Sequence, residues 1–537
     1  VRGGAYQRGT TRRLDAALAV VFDYSADDRL RAIRPIGDIN GDDYSDLGMV
    51  FLEESSDLNQ LGAVMRHAVV RIVFGGSKVF EENATGRFAD TPDLIVEPWT
   101  PLYAEESETY PRVPPFSFGS PGDINGDGFD DLAIADSFVG NQVHVILGRR
   151  PKPIQIVPPA APLQLGTLYQ ADLATPLVTI VPAHAGGIDL LTSPAEGHLI
   201  GNAFALKGAA QAERLALPVT LGDINGDRAD DFLFSGPSKG YLVLGPIRLE
   251  GVENIKARAN VTVDLAALGQ PAQRIRDIDG DGHNDLVFLS KPTASDTLAV
   301  HVIFGNRLLP EHLTLQDVHR TIRITNSAYA GQNVSRFSVE ALYWHEDALA
   351  KGSCADLLVT SPQDAYVFSG RAIKQATGTL SAANALVRIT IPAPTSNVTW
   401  TMFVARAVGD IDGDGLEDIA LGEVTVQYVP DPYDDLYYHK ARLHLLYGQP
   451  GETSRSIAAD TLPGITLVTR ARYFFQPEWM ADTAINVFEL GDLDGDGYDD
   501  FATVVRTSNA EVDDRIDVFR GTAKRPRNDL ESWYQFT

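Results

Sequence analysis

The sequence predicts an all-β fold assembled from one repeated unit, and two observations support this prediction. Six acidic stretches share one spacing of oxygen-bearing side chains, the clearest being GDINGDGFDDLAIAD at residues 122–136. Each runs directly into a short apolar segment bounded by Gly, Pro or Ser, a pattern typical of a buried strand. Self-similarity along most of a chain indicates a repeat architecture in place of several unrelated domains.

The acidic stretches form nine-residue loops, called loops 1 to 6 below, at residues 38–46, 123–131, 223–231, 277–285, 410–418 and 492–500. Side-chain oxygens occupy positions 1, 3, 5 and 9 of every loop. Position 6 is Gly in four loops, where it permits positive φ, and is Asp43 or Arg228 in the other two. Alternating oxygens on a curled chain suit a hard cation such as Ca²⁺, which takes about six to eight oxygen ligands.

We therefore predict a Ca²⁺ ion in each loop, or about six structural ions in all. Loops 1 to 3 have Asn at position 3 and therefore three carboxylates, so they should bind more weakly than loops 4 to 6, which have four. A main-chain carbonyl at position 7 and water would complete each shell. The predicted ligand residues are Asp38, Asn40, Asp42, Tyr44, Asp46, Asp123, Asn125, Asp127, Phe129, Asp131, Asp223, Asn225, Asp227, Ala229, Asp231, Asp277, Asp279, Asp281, His283, Asp285, Asp410, Asp412, Asp414, Leu416, Asp418, Asp492, Asp494, Asp496, Tyr498 and Asp500.

Two other interpretations of the loops explain less. An EF-hand needs flanking helices and a bidentate Glu at position 12, which here is Met49, Ile134, Phe234, Phe288, Leu421 or Thr503. An acidic hairpin turn would explain one Asp-Gly or Asn-Gly pair. Turns alone do not explain six copies with the same spacing, because uncompensated carboxylates repel one another.

A second recurrent element lies downstream of the loops. Seven β-rich stretches end in an apolar or aromatic residue close to Gly, as in VHVILG at 143–148 and LHLLYG at 443–448. The repeated unit is therefore strand A, acidic loop, strand B, connection, strand C, Gly turn and strand D.

These units resemble FG-GAP repeats, the blades of the β-propeller in integrin α subunits and in related bacterial and fungal surface proteins and lectins. The resemblance covers nearly the whole chain, from about Arg29 to Gly521. It implies a single β-propeller of four-stranded antiparallel blades, with Ca²⁺ in the loops between strands A and B. Repetition without another periodicity also favours one closed ring over several domains.

The number of blades depends on two segments that lack an acidic loop. Residues 354–370 carry strands B and C, but Gly352 and Ala348 precede them where ligands would be needed, so we predict a metal-free blade. A fainter copy at 187–208 lines up with 230–251. Counting this copy gives eight blades, which we favour, whereas treating it as an insertion gives seven, the integrin number.

The predicted domain organisation is one integrin-like propeller over residues 1–537. Its blades occupy residues 29–521, and a C-terminal tail occupies 522–537. The N-terminal segment 1–28 contains DAALAVVF at 15–22. We expect this stretch to be the outer strand of the last blade, because such closure removes an exposed sheet edge.

A ligand should bind on the face opposite the acidic loops. The B–C and D–A connections reach that face, and four of them are long, at residues 52–67, 97–115, 423–441 and 470–482. Insertions on one face of a repeat protein usually mark its binding face. These segments contain aromatic residues that suit sugar or protein recognition, although each could simply pack its own loop: Trp99, Tyr103, Tyr110, Tyr433, Tyr437, Tyr438, Phe474 and Trp479.

The resemblance and the predicted weak calcium sites together imply a secreted or surface-displayed binding module. The 537 residues are 44% hydrophobic and 22% charged, and the net charge of −27 argues against nucleic acid as the main partner. No apolar run approaches the roughly 18 residues of a membrane span. No secretory signal is visible in residues 1–13, and the single Cys354 excludes a disulfide framework. The expected ligand is a protein or a glycan, and the expected role is adhesion or recognition.

Two alternatives stay open. One is a carbohydrate-active enzyme, such as a polysaccharide lyase, with Tyr438, His439, Lys440 and Arg442 as first candidates, although neighbouring residues on a strand point to opposite faces. No G-x-S-x-G, H-E-x-x-H or P-loop motif occurs. The other is a structural subunit of a surface assembly. His345, in the blade without an acidic loop, is expected to be structural.

Overall fold

The structure, a computed structural model, describes residues 19–22, 29–58, 64–75, 94–98, 103–104, 116–136, 142–148, 177–182, 188–191, 203–208, 215–248, 251–272, 274–291, 294–332, 336–345, 352–391, 398–429, 436–451, 454–462, 464–473, 483–493, 495–507 and 515–522. Within these ranges the chain forms 35 strands and only short helical segments. The prediction of an all-β fold is therefore confirmed.

Seven β-sheets form the blades of one propeller. Strands A to D of each blade are antiparallel and run in this order from the axis outward. Blades 1 to 4 consist of Arg29–Gly37, Asp46–Leu58, Val64–Val73 and Leu94–Pro98; Phe116–Gly122, Asp131–Asp136, Gln142–Ile146 and Ala203–Lys207; Val219–Gly222, Asp231–Ser235, Lys239–Val243 and Val261–Asp264; and Gln270–Pro271, Leu286–Ser290, Thr297–Ile303 and Arg320–Thr325. Blades 5 to 7 consist of Ser338–Leu342, Asp356–Thr360, Asp364–Phe368 and Val387–Thr390; Val398–Ala407, Ile419–Val429, Leu436–Leu446 and Gly464–Tyr473; and Thr483–Gly491, Asp500–Thr507, Arg515–Phe519 and Ala19–Phe22.

The prediction of eight blades is wrong, because the fainter copy at 187–208 is divided between two other sheets. Its first part, Ile188–Leu191, forms a hairpin with Leu177–Pro182 on the outer edge of blade 1. Its last part, Ala203–Lys207, pairs with strand C of blade 2 and is the fourth strand of that blade. Blade 2 would lack an outer strand without this segment. The segment therefore pairs with blade 2 and does not form a blade of its own, although its sequence resembles that of blade 3.

Short fifth strands extend the outer edges of several blades. The connection from strand C to strand D of one blade runs past the preceding blade and pairs in parallel with its strand D. The strands that do so on blades 1 to 5 are Leu177–Pro182, Gly251–Asn254, His312–Leu313, Leu380–Ser381 and Arg455–Ala458. Each connection therefore links two blades and covers an edge that would otherwise expose unpaired backbone groups.

The first and last parts of the chain meet in blade 7. Ala19–Phe22 pairs antiparallel with Arg515–Phe519, with Val20 opposite Val518. Strand A of blade 7 also lies beside strand A of blade 1. Seven blades therefore close into a ring in which the N-terminal strand supplies the last edge.

The apolar core lies between neighbouring blades. Strand Asp231–Ser235 shows the pattern, because Phe232, Leu233 and Phe234 are all fully buried although successive side chains point to opposite faces. Both faces of an inner strand are covered by adjacent blades, which explains why the sequence shows continuous apolar runs in place of alternation.

Helical segments are confined to the connections on the described part of the chain. The α-helical turns are Ile255–Arg258, Leu265–Leu268 and Gly370–Gln375, and their N-cap residues Asn254, Asp264 and Ser369 accept backbone hydrogen bonds. The 3₁₀ turns are Leu315–Asp317, Ser327–Tyr329, Ala382–Asn384 and Ala459–Thr461. None of these helices is long and apolar enough to span a membrane.

Candidate cation loops

The backbone of each loop curls around the carboxylate of the Asp at position 1. In loop 1, Asp38 Oδ1 accepts hydrogen bonds from the backbone N–H groups of Gly41 and Asp42, at 2.6 and 3.0 Å, and Oδ2 accepts one from Asp43 at 2.8 Å. The same three bonds recur in the other five loops. A local network of this kind is the physical reason for Asp at position 1.

The turn at position 6 needs a left-handed backbone. Gly128 has φ of 91°, and Gly282, Gly415 and Gly497 are similar. Asp43 and Arg228 occupy the same conformation at φ of 69° and 72°. Glycine is therefore favoured at this position as predicted, and the two exceptions adopt the strained geometry because the rest of the loop requires it.

Position 9 joins the loop to strand C. In loop 3, Asp231 Oδ2 accepts from Ile224 N, and Oδ1 accepts from Gly245 N, which follows strand C, at 3.0 Å. Equivalent bonds reach Gly75, Gly148, Gly305, Gly448 and Gly521 from the other five loops. A Cβ on Gly245 would lie 1.9 Å from the carbonyl oxygen of Asp230. The Gly at the end of each strand C is therefore required by close backbone approach.

The predicted side-chain ligands lie close together in loops 4 and 5, whose ligand positions are all Asp and are all described. One carboxylate oxygen from each of positions 1, 3 and 9 lies within 4.8 Å of the other two in loop 4 and in loop 5. These residues are Asp277, Asp279 and Asp285, and Asp410, Asp412 and Asp418. In loop 6, Asp494 lies outside the described residues.

Position 3 in loops 1 and 2 provides a buried oxygen without a hydrogen-bond donor. Asn40 and Asn125 are only 5% and 7% exposed, and their side-chain Oδ1 atoms accept no hydrogen bond. Their Nδ2 groups donate to the position-5 carboxylates of Asp42 and Asp127 at 3.1 and 3.0 Å. A buried acceptor without a donor is costly, and a cation in the loop would satisfy it.

Position 5 is placed differently from positions 1, 3 and 9. Its carboxylate accepts the backbone N–H of position 7, as in the bond of 3.1 Å between Tyr44 N and Asp42 Oδ1. In loop 6, Arg520 also pairs with Asp496 at 2.6 Å. The position-5 carboxylate thus bonds within its own loop, and it is not one of the three carboxylates that lie together in loop 4 or in loop 5.

The side chains at position 7 contact the preceding loop. A Cβ on Gly41 would meet the ring of Phe129, and a Cβ on Gly495 would meet the ring of Tyr44 across the junction between blades 7 and 1. The sequence predicted only main-chain carbonyl ligands at position 7. The observed packing gives the side chains at these positions a separate role between blades.

From the protein's own groups alone, the position-9 carboxylates are poorly stabilised as anions. Burial raises the pKa of Asp46, Asp285 and Asp418 to about 8, and that of Asp131 and Asp231 to about 7. Backbone hydrogen bonds offset part of this rise, while repulsion from the other loop carboxylates adds to it. A divalent cation would remove both the repulsion and the need for a proton.

Blade 5 replaces the acidic loop by a histidine. Asp356 stands at the equivalent of position 9 and keeps the backbone bond from Gly370 at 3.1 Å. Its carboxylate also accepts from the backbone of His345 and lies 2.6 Å from His345 Nδ1, and both side chains are buried. His345 therefore has the structural position that the sequence analysis expected.

Ion pairs near the ring axis were not identified from the sequence. Arg274 of blade 4 lies 2.7 Å from Glu417 of loop 5 and 2.9 Å from Glu489 of blade 7, so it connects blades across the ring. Arg406 and Glu340 pair at 2.7 Å between blades 6 and 5. Burial alone would raise the pKa of Glu417, but Arg274 and a second arginine hold it below its ordinary value. The only sequence signal was a charged residue three or four positions before loops 1, 4, 5 and 6.

Two of the four long segments predicted as connections, 52–67 and 423–441, are strands wherever the structure describes them. Residues 52–58 and 64–67 extend the B–C hairpin of blade 1, and residues 423–429 and 436–441 do the same in blade 6. Backbone pairing continues along both hairpins, so their alternating sequence forms ladders in place of loops. Trp99, Tyr110, Tyr433, Phe474 and Trp479 lie outside the described residues.

The residues considered for a lyase lie on one strand, and the structure describes the side chains of Lys440 and Arg442 among them. Tyr438, His439, Lys440 and Arg442 all lie on strand C of blade 6. Arg442 Nη1 lies 3.8 Å from the buried carboxylate of Glu423, which also lies 3.4 Å from His444 Nε2. The side chains of Tyr438 and His439, like those of Tyr103 and Tyr437, are not described.

The chain was compared with protein families, curated proteins and solved structures. No protein-family model matches it, and no curated protein does. Among solved structures it is similar to a chain from the structure of ctPRC2 in complex with H3K27me3 and H3K27M. That match is 10% identical, covers 95% of this chain and 98% of the other, and has a TM-score of 0.30, which is too low to carry an argument. The class defined by the coordinates is thus a seven-bladed all-β propeller with acidic loops on one face.

Proposed function

We propose that this protein is a calcium-stabilised propeller of the FG-GAP type that acts as an extracellular or cell-surface binding module. The observation that carries the proposal is the donor set of the six loops. Each offers side-chain oxygens at positions 1, 3, 5 and 9, all from carboxylates except the Asn amide at position 3 of loops 1 to 3, and none of these positions offers a thiolate or a histidine nitrogen. Oxygen-only sets of this kind favour hard cations over zinc or copper.

Calcium would act in these loops as a structural ion. Buried acceptors at Asn40 and Asn125 and the high pKa of the position-9 aspartates are unfavourable features of the loop alone. A bound ion would offset both, so binding would contribute directly to folding. At a free calcium concentration about 100-fold above the dissociation constant, one site contributes about 2.7 kcal/mol. Sites that depend on millimolar calcium belong outside the cytosol.

We propose that the ligand binds on the face opposite the acidic loops, on the side where the blades extend furthest. Strand B of blade 6 has 11 residues and strand B of blade 1 has 13, whereas those of blades 3 and 5 have five each. Strand B starts at the acidic loop in six blades and at its counterpart, Asp356, in blade 5, so the additional length projects from the other face. At about 3.3 Å per residue, blade 6 rises roughly 20 Å above blades 3 and 5.

Blade 7 lies between these two tall blades and is itself long, with strands A and B of nine and eight residues. Blades 6, 7 and 1 therefore form a continuous raised wall beside four lower blades. A wall of this kind provides an extended concave surface, which suits a protein or glycan ligand better than a small molecule.

Arrays of glycans and of extracellular proteins, probed in millimolar calcium, would test the binding proposal. In the test variant, residues 427–438 are replaced by Asn-Gly. Val426 and His439 face each other across the hairpin, so a two-residue turn can join them. The matched control is Gln363→Ala, at an exposed turn of blade 5 on the same face. We expect the shortened hairpin to lose ligands that the control retains.

Binding that survives in the shortened variant would contradict the proposed surface. A wild-type protein that binds nothing on either array, although calcium raises its melting temperature, would contradict the role as a binding module and leave the structural role of calcium intact.

A further inference from the structure

Consecutive acidic loops are connected by hydrogen bonds at some blade junctions and not at others. At the junction of blades 1 and 2, the backbone N–H of Asp38 donates to Asp130 Oδ2 at 2.8 Å, and the backbone N–H of Asp130 donates to the carbonyl of Asp38 at 3.0 Å. Asp130 is position 8 of loop 2, and Asp38 is position 1 of loop 1. The pair is reciprocal, so it fixes both the backbone N–H and the backbone carbonyl of Asp38.

The same arrangement recurs at the junction of blades 6 and 7. Asp410 N donates to Asp499 Oδ2 at 2.9 Å, and Asp499 N donates to the carbonyl of Asp410 at 3.1 Å. Asp499 is position 8 of loop 6, and Asp410 is position 1 of loop 5. Two independent junctions therefore use the same pair of positions.

The junction of blades 5 and 6 has the same pair without an acidic loop in blade 5, because Tyr343 N donates to Glu417 Oε2 at 2.8 Å and Glu417 N donates to the carbonyl of Tyr343 at 2.7 Å. The other junctions between acidic loops lack the reciprocal pair within the described residues. Within the described residues, Asp230 at position 8 of loop 3 makes no hydrogen bond to Asp123 of loop 2. At the junction of blades 7 and 1, position 8 is Ser45, which has no carboxylate.

We propose that Asp130 and Asp499 are positioning residues for the cation sites of the preceding blades. Position 1 is the residue whose carboxylate organises the loop, and its backbone N–H and carbonyl are both held in these two loops by the next blade. The affinity of loops 1 and 5 for a cation therefore depends on the blade that follows, whereas the affinity of loop 2 does not depend on Asp230. This inference rests on the proposed function, because it concerns the same calcium sites.

The test is hydrogen–deuterium exchange of the full-length protein, followed for the peptide of each loop during a calcium titration. In Asp130→Ala we expect the calcium midpoint of loop 1 to rise by about tenfold or more, the effect of one charge-assisted hydrogen bond. The matched control, Asp230→Ala, removes the same side chain from the same loop position and should leave the midpoint of loop 2 within about threefold. Asp499→Ala should raise the midpoint of loop 5 as Asp130→Ala does for loop 1.

A further variant separates the hydrogen bond from the charge. Asp130→Asn keeps an oxygen acceptor but removes the negative charge, so it should shift loop 1 less than Asp130→Ala does. Equal shifts in Asp130→Ala and Asp230→Ala would overturn the inference while leaving calcium binding established. A wild-type protein whose loops gain no protection from calcium would instead contradict the proposed function itself.

Discussion

The buried aspartate at position 9 of each loop has to serve two purposes. Its carboxylate holds the loop closed and also reaches the Gly after strand C, as Asp285 does with Ile278 and Gly305. At the same time, burial raises its pKa to about 8. The residue that organises the blade is therefore also the residue that is least stable as an anion, unless a cation is present.

We expect the stability of the protein to fall with rising pH in the absence of calcium and to lose this dependence when calcium is bound. The pKa values of Asp46, Asp285 and Asp418, about 8, lie above the ordinary value near 3.9, so the cation-free native state holds protons that the unfolded chain has released. This contribution to stability is complete below about pH 4 and is lost as the pH rises through about 8. In EDTA, the free energy of unfolding should therefore fall between pH 5 and pH 8.5.

In millimolar calcium the fall should disappear, because the cation takes the place of the proton. Urea denaturation at a series of pH values, in EDTA and in calcium, would measure both trends. Parallel pH profiles under the two conditions would show that the position-9 carboxylates are not linked to a cation.

At the scale of the element, a blade depends on the contact between its acidic loop and the end of strand C. This contact was only partly predictable. The recurrent Gly after strand C was visible in the sequence, but its reason, the approach of Gly245 to the carbonyl of Asp230, depends on how the two hairpins pack. The positions of strands B and C were predicted well because both faces of each strand are buried.

Gly245→Ala should therefore destabilise the protein by more than about 3 kcal/mol, the range associated with severe overpacking. The added Cβ would lie 1.9 Å from a backbone oxygen, which cannot move without breaking the bond between Gly245 and Asp231. Gly378→Ala is the matched control, because nothing lies within 4 Å of its added Cβ. Its free energy of unfolding should stay within about 0.5 kcal/mol of wild type. Equal effects of the two substitutions in urea denaturation would contradict this account.

The fifth strands show where sequence reasoning reaches its limit. Leu380–Ser381 and His312–Leu313 are two residues long, so they carry no periodicity from which a strand could be predicted. They form because a passing connection meets the unpaired edge of the preceding blade. The segment around Ile188–Leu191 led to a wrong blade count for the same reason, since its pairing with blade 1 is tertiary.

At the scale of the whole molecule, the ring is held closed by contacts between distant parts of the chain. The strand Ala19–Phe22 completes blade 7, and Arg274 joins blade 4 to Glu489 of blade 7 near the axis. The repeat and the presence of a closed ring were predictable from sequence, whereas the number seven was only the alternative. Charged side chains near the axis were missed, because nothing local distinguishes them from surface residues.

Removal of residues 1–22 should destabilise the ring strongly, because the edge of Arg515–Phe519 then loses its partner. We expect a lower melting temperature and concentration-dependent association through the exposed edge. Removal of residues 1–18 is the matched control, since it leaves Ala19–Phe22 intact. Calorimetry and analytical ultracentrifugation would compare the two, and similar behaviour of both truncations would show that the N-terminal strand does not close the ring.

Native mass spectrometry of the EDTA-treated protein during calcium addition, paired with its melting temperature, is the most direct test of the proposal that the six acidic loops are structural cation sites. The expected result is the stepwise addition of about six calcium ions with a rise in melting temperature, and the loss of one ion when Asp277→Ala disables loop 4. A protein that takes up no calcium, or whose melting temperature is the same in EDTA and in calcium, would contradict the account.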